Sequence, residues 1–102
     1  MPTGLFVRDF LLERGEGYPY QIWRELRAKR EELGLNSGSY QSFRINYVNV
    51  LKRLGLIEEA RREASRRPKL QDRIYYRIVR GRERDERWVA PQKALYGGEK
   101  VR

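Results

Sequence analysis

The sequence predicts a small α+β domain: three helices, a two-stranded hairpin and a short C-terminal tail. Three observations carry this expectation. Apolar residues recur at helical spacing in three blocks between residues 3 and 54, and glycine follows each block. Residues 72–80 alternate instead, with Ile74, Tyr76 and Ile78 on one side and Arg73, Tyr75 and Arg77 on the other, as in a half-buried strand. With 102 residues, 39% of them hydrophobic, the chain can fill one core and little more.

The first helix is expected over residues 3–14, capped by Thr3. Leu5, Phe6, Val7, Phe10, Leu11 and Leu12 cover most of its circumference, which calls for deep packing. Gly15 and Gly17 end it in a turn. Pro19 suits the first position of a second helix, where its missing N–H is not needed. That helix is expected over 19–33, with Ile22, Leu26 and Leu33 inward and Trp23 beside them. Glu25 with Lys29, and Arg27 with Glu31, sit one turn apart on its outer side.

Gly34 is the stop signal. Residues 35–39 form a turn in which Ser37 or Ser39 can cap a third helix over 40–54. At about 100° per residue, Phe43, Tyr47, Val50, Leu51 and Leu54 gather on its core face. Gln41, Ile45, Asn49 and Lys52 lie opposite, flanked by Ser42, Arg44 and Val48.

Beyond Gly55, residues 56–61 lead into a basic stretch, Ser65-Arg66-Arg67-Pro68-Lys69, from which the 72–80 strand returns. Two strands around a basic tip make a hairpin; a helical 58–67, favoured by its Glu, Ala and Arg content, is the alternative. Residues 80–87 read as a solvated mixed-charge segment. Trp88, Val89, Pro91, Ala94, Leu95 and Tyr96 form an apolar tail, in which Pro91 can start a short helix. The folded domain is therefore expected over 3–80, with a linker and tail over 81–102.

Composition narrows the chemistry. There is no cysteine and no histidine. Disulfides, thiolate metal sites, zinc fingers and Ser-His-Asp triads are thereby excluded, and only carboxylate chemistry stays conceivable. No glycine-rich phosphate loop is present, so neither a cofactor nor a metal is expected, and an enzyme is the weakest reading. No apolar run is long enough to span a membrane. Residues 1–9 lack the pattern of a secretory signal, so a cytoplasmic location is expected. High charge, arginine preference and the missing Cys and His also fit a thermophile.

The net charge of +9 favours an anionic partner, nucleic acid above all. The excess is local. Residues 1–57 hold nine Lys/Arg against six Asp/Glu, whereas residues 61–80 hold eight against two.

Gly17-Tyr18-Pro19-Tyr20-Gln21-Ile22, Ser39-Tyr40, Val50-Leu51-Lys52-Arg53-Leu54-Gly55-Leu56-Ile57 and Arg73-Ile74-Tyr75-Tyr76-Arg77-Ile78 together resemble winged helix-turn-helix proteins of the PadR-like and MarR-like kinds. The likeness covers residues 5–80 and is nearest in character to small crenarchaeal and archaeal-virus members. It departs from PadR-like proteins in its short tail, which leaves no room for their long C-terminal dimerisation helix.

The resemblance implies sequence-specific binding of double-stranded DNA by a transcriptional regulator located in the cytoplasm at the nucleoid, or in host cytoplasm for a viral protein. The 40–54 helix would enter the major groove, where side chains on its outer face read base edges. Gln41 and Asn49 suit adenine, Arg44 suits guanine, and Ile45 or Val48 suits a thymine methyl. Ser39, Tyr40, Ser42, Lys52 and Arg53 would meet phosphates, and Arg66, Arg67 and Lys69 would lie along the backbone or in the minor groove. A homodimer is expected, joined through the first helix with Trp88, Leu95 and Tyr96, unless the tail folds back on its own domain. The competing readings are backbone-led chromatin or RNA binding and a protein–protein adaptor.

Overall fold

In a computed structural model, which describes residues 2–66 and 71–97, the first helix (α1) spans Thr3–Arg14 and buries Val7, Phe10 and Leu11. Leu5 and Phe6 pack at the edge of the core, and Leu12 is exposed. Thr3 does not cap this helix. Pro2 holds the cap position, and the Thr3 hydroxyl instead accepts a hydrogen bond from the Arg30 guanidinium, 2.5 Å away. Arg30 also donates to the Asn36 carbonyl (3.3 Å), so one side chain ties the start of the chain to the turn before the third helical segment.

The second helix (α2) spans Pro19–Glu32, with Pro19 at its first position and Ile22, Trp23 and Leu26 buried. Leu33, expected inward, is 54% exposed because the helix ends one residue earlier and Gly34 turns the chain with a positive φ. Arg27 pairs with Glu31 as expected, but Glu25 pairs with Arg14 of α1 at 2.7 Å.

The third helical segment is continuous but not uniform. Its first turn, α3, spans Tyr40–Phe43 and is capped by Ser39, whose hydroxyl accepts the Ser42 N–H at 3.0 Å. A π-helical turn over Arg44–Val48 follows, closed where the Asn49 N–H donates to the Arg44 carbonyl five residues back. The last part, α4, spans Asn49–Arg53. The wider π turn holds one residue more than an α turn. Val48, expected on the outer face, therefore swings inward and is only 3% exposed, while Ile45 stays outside at 48%.

Strands β1 (Ile57–Glu63) and β2 (Arg73–Ile78) form an antiparallel hairpin, so 57–63 is strand and not helix. The pairing aligns Glu58 with Arg77 and Glu63 with Arg73, and shifts register between Glu59 and Arg61. Gly17 adds a single ladder step. Its N–H donates to the Tyr76 carbonyl (3.0 Å), and the Tyr76 N–H donates back (2.8 Å). A side chain at Gly17 would put a Cβ 2.6 Å from the buried Phe10 ring of α1, so any other residue there requires that ring to shift.

The tail belongs to the core. A 3-10 turn over Glu86–Trp88 delivers Trp88 into the main hydrophobic cluster at 0% exposure, where its indole N–H donates to the Arg82 carbonyl at 2.7 Å. Asp85 caps that turn by accepting the Arg87 N–H, and it also pairs with the Arg87 guanidinium, each at 2.9 Å. The final helix, α5 (Pro91–Tyr96), presses Pro91 toward Gly4 of α1. Residues 80–87 lie at the surface, with no buried residue among them, and Trp88 is withdrawn from the surface on which a dimer contact was expected. Of the apolar surplus that suggested an interface, Trp88 is an inward anchor, while Val89 and Tyr96 stay exposed.

Candidate nucleic-acid interface

The helical segment 40–53 and strand β2 stand on either side of a groove of about 530 Å3. Tyr40, Arg44, Val48, Asn49 and Lys52 line its helical wall, and Arg73, Ile74 and Tyr76 line the strand wall. The start of α2 closes one end with Tyr18, Pro19, Tyr20 and Arg24. The π turn shapes this wall by turning Val48 and Asn49 toward the strand.

The expected base readers divide into two groups. Gln41 and Ile45 are exposed and lie outside the groove. Arg44 and Asn49 are half-buried and line it. Gln41 and Arg44 are nevertheless joined, since the Arg44 guanidinium donates to the Gln41 side-chain oxygen at 3.1 Å.

Among the expected backbone contacts, Ser39 is engaged as a cap, and Ser42 accepts from the Asn46 amide at 3.0 Å. Tyr40 packs edge-on to Tyr20 and Trp23, with ring centroids 5.2 and 5.7 Å apart. Its phenol is held above the ordinary tyrosine pKa chiefly by burial. Lys52 and Arg53 are exposed, and the Lys52 ammonium lies 5.4 Å from the centre of the Tyr76 ring. Arg66 is exposed, while Arg67 and Lys69 lie outside the described residues.

Charge pairing separates the two walls. On the hairpin, Arg61 pairs with Glu16 (2.6 Å), Arg62 with Glu59 (3.1 Å), Arg73 with Glu63 (3.0 Å) and Arg77 with Glu58 (2.8 Å). Two of these arginines also lie over rings, Arg61 on Tyr75 at 3.7 Å and Arg73 on Tyr18 at 4.3 Å. On the helical side, Arg24, Arg44, Lys52 and Arg53 have no carboxylate of the described residues within ion-pairing distance. The groove itself is lined by Arg24, Arg44, Lys52 and Arg73 against one carboxylate, Asp72, which accepts the Ser65 N–H at 3.2 Å.

Sequence reasoning does not single out Arg24; it weighs Tyr18 and Tyr20, with Trp23, Phe43, Tyr47, Tyr75 and Tyr76, as a stacking platform for single strands, and favours core packing for most of that set. The signal for the groove's end is the Tyr18-Pro19-Tyr20 opening of α2, which puts two rings and, a turn later, Arg24 at the end of the helix nearest the groove. Among the described residues no group of three or more acidic side chains could hold a metal ion. No helix among them is long and apolar enough to cross a membrane. No family model, curated protein or solved structure matches the chain.

Proposed function

We propose that the protein is a winged helix-turn-helix module that binds double-stranded DNA, with the 40–53 helix in the major groove and the hairpin as the wing. The observation that carries this reading is the row of unpaired cations, Arg24, Arg44, Lys52 and Arg53, beside a helix whose Gln41 and Ile45 face solvent. A helix in the major groove and a wing tip beyond the adjacent strand would leave the sugar–phosphate backbone between them, along the groove that holds Arg24, Arg44 and Lys52. Gln41, Arg44, Ile45 and Asn49 remain the base-reading set in this proposal, and transcriptional regulation is the role it fits. Binding as a homodimer would extend a short reading length, with Val89 and Tyr96 as the tail's remaining exposed apolar groups.

The test is a titration of labelled duplexes by the protein at several salt concentrations, followed by selection from a random duplex pool. Four phosphate contacts predict a slope of log K against log salt of about −4. A recovered consensus that Gln41→Ala and Asn49→Ala each relax supports base reading. Binding with the same slope but no consensus, equal on duplex RNA, would replace this reading with backbone-led nucleic-acid binding.

A further inference from the structure

The groove contains more aromatic surface than a duplex can use. A duplex keeps its base faces stacked on one another and offers a protein only edges and backbone. A tyrosine hydroxyl can reach that backbone, but a duplex offers its ring no base face to stack on. Yet Tyr20 projects at the groove's end with 46% of its surface exposed, edge-on to Tyr40, and Arg24, Arg44 and Lys52 share the lining without carboxylate partners. Asn49 adds an amide that can both donate and accept hydrogen bonds, as a base edge requires. The volume of about 530 Å3 lies within the range of small-ligand sites.

We propose that this groove binds a single unpaired nucleotide, with the phosphate on Arg24 and Lys52, the base against Tyr20 and the base edge at Asn49. The shared chemistry is one phosphate plus one exposed base face, supplied by a free mononucleotide or by a nucleotide of a single strand. Stacking on tyrosine tolerates every base, so the site selects for the unpaired state and not for sequence. Tyr40, whose phenol is protonated at neutral pH like any tyrosine, adds a donor to the same groove lining. The inference goes beyond the duplex reading, although the two overlap at Arg44 and Asn49. If both hold, an occupied groove weakens duplex binding, which makes the nucleotide an effector.

Calorimetric titration of the full chain, without duplex present, tests the site with AMP, inorganic phosphate and an oligo-dA single strand. AMP should bind about tenfold or more tighter than inorganic phosphate, the worth of one base stack. Tyr20→Leu should bring AMP down to the phosphate level, and Arg24→Gln should weaken AMP by about tenfold through loss of a charged hydrogen bond. Both positions are exposed, and unchanged melting temperatures will show that the variants fold. Saturation by AMP without oligo-dA binding assigns a free nucleotide; oligo-dA binding that Tyr20→Leu abolishes assigns a strand. Equal affinity for AMP and phosphate, AMP binding unaltered by Tyr20→Leu, or no heat from either nucleotide source into the millimolar range overturns the proposal. Loss of duplex binding alone leaves it standing and removes only the DNA reading.

Discussion

The hairpin and the helix that faces it carry similar charged residues in opposite states. Each of Arg61, Arg62, Arg73 and Arg77 on the hairpin has a glutamate partner, and two partnerships, Arg73 with Glu63 and Arg77 with Glu58, join directly opposed strand positions. Arg44, Lys52 and Arg53 on the helix, with Arg24 nearby, have none. Along the sequence the contrast runs the other way, because the basic excess is concentrated in 61–80. Counting charges by segment misses Glu58, Glu59 and the distant Glu16, which the strand pairing and the α1–α2 connection bring to the hairpin arginines. Free cationic surface depends on which charges the fold leaves without partners, and among the described residues that line the groove those lie on the helical side. The paired arginines instead fix the strand wall against the α1–α2 connection, through Arg61 with Glu16 and Arg73 over Tyr18.

The most direct way to break the comparison is to remove cations in matched pairs. Arg44→Ala with Lys52→Ala should weaken duplex binding by about 100-fold, at roughly one charged hydrogen bond each. It should also flatten the salt slope by about two. Arg62→Ala with Arg77→Ala should change affinity by less than about threefold, since exposed arginines already committed to carboxylates release few counterions. Anisotropy titrations of both double mutants check this. Comparable losses from the two would mean that DNA recruits the hairpin arginines away from their glutamates, and the distinction between the walls would fail.

Element order was legible because each element has a local signature: Pro19 at a helix start, Ser39 as a cap, glycines at the stops and alternation over 73–78. The features that shape the groove were not. A helical wheel assumes one constant angle per residue, and nothing local in Arg44-Ile45-Asn46-Tyr47-Val48 announces a π turn. For Trp88 the sequence leaves two outcomes open, a dimer contact or a tail folded back on its own domain, and the structure shows the second. Its charged flanks look solvated in sequence, but Asp85 and Arg87 satisfy each other and leave the indole free to anchor the tail. Thr3 was a sound cap by residue type, yet a partner 27 positions away claimed its hydroxyl.

The π turn gives a second test, smaller in magnitude. Val48→Ala should destabilise the fold by about 1.5 kcal/mol, from two buried methyl groups. Ile45→Ala should cost less than about 0.5 kcal/mol, because its side chain lies at the surface. A regular α-helix would put both residues on the outer face and make both changes neutral. Denaturant unfolding of the pair therefore reports the register of the wall that carries Arg44 and Asn49. A neutral Val48→Ala would return that residue to the outer face and remove the basis for the groove.

The smallest effect concerns whether charge pairing outside the hairpin also holds structure. The Arg87 guanidinium and backbone N–H beside Asp85 lower its pKa from the ordinary carboxylate value to about 2. A carboxylate with a depressed folded pKa binds protons more readily in the unfolded chain. Its stabilising contribution is therefore complete above the unfolded value of 3.8 and disappears as pH falls through about 2. Asp85→Asn keeps an oxygen to cap the turn before Trp88 but has no charge to lose. At neutral pH the variant should be less stable by about 1 kcal/mol or less, given solvent screening of the pair. That gap should narrow steadily between about pH 4 and pH 2. Thermal melts of both proteins across that range, followed by tryptophan fluorescence, make the comparison. Parallel curves would assign the anchoring of the tail to the buried indole and its hydrogen bond to Arg82 alone. Convergent curves would show that Asp85 and Arg87 use charge as the hairpin does, to hold structure.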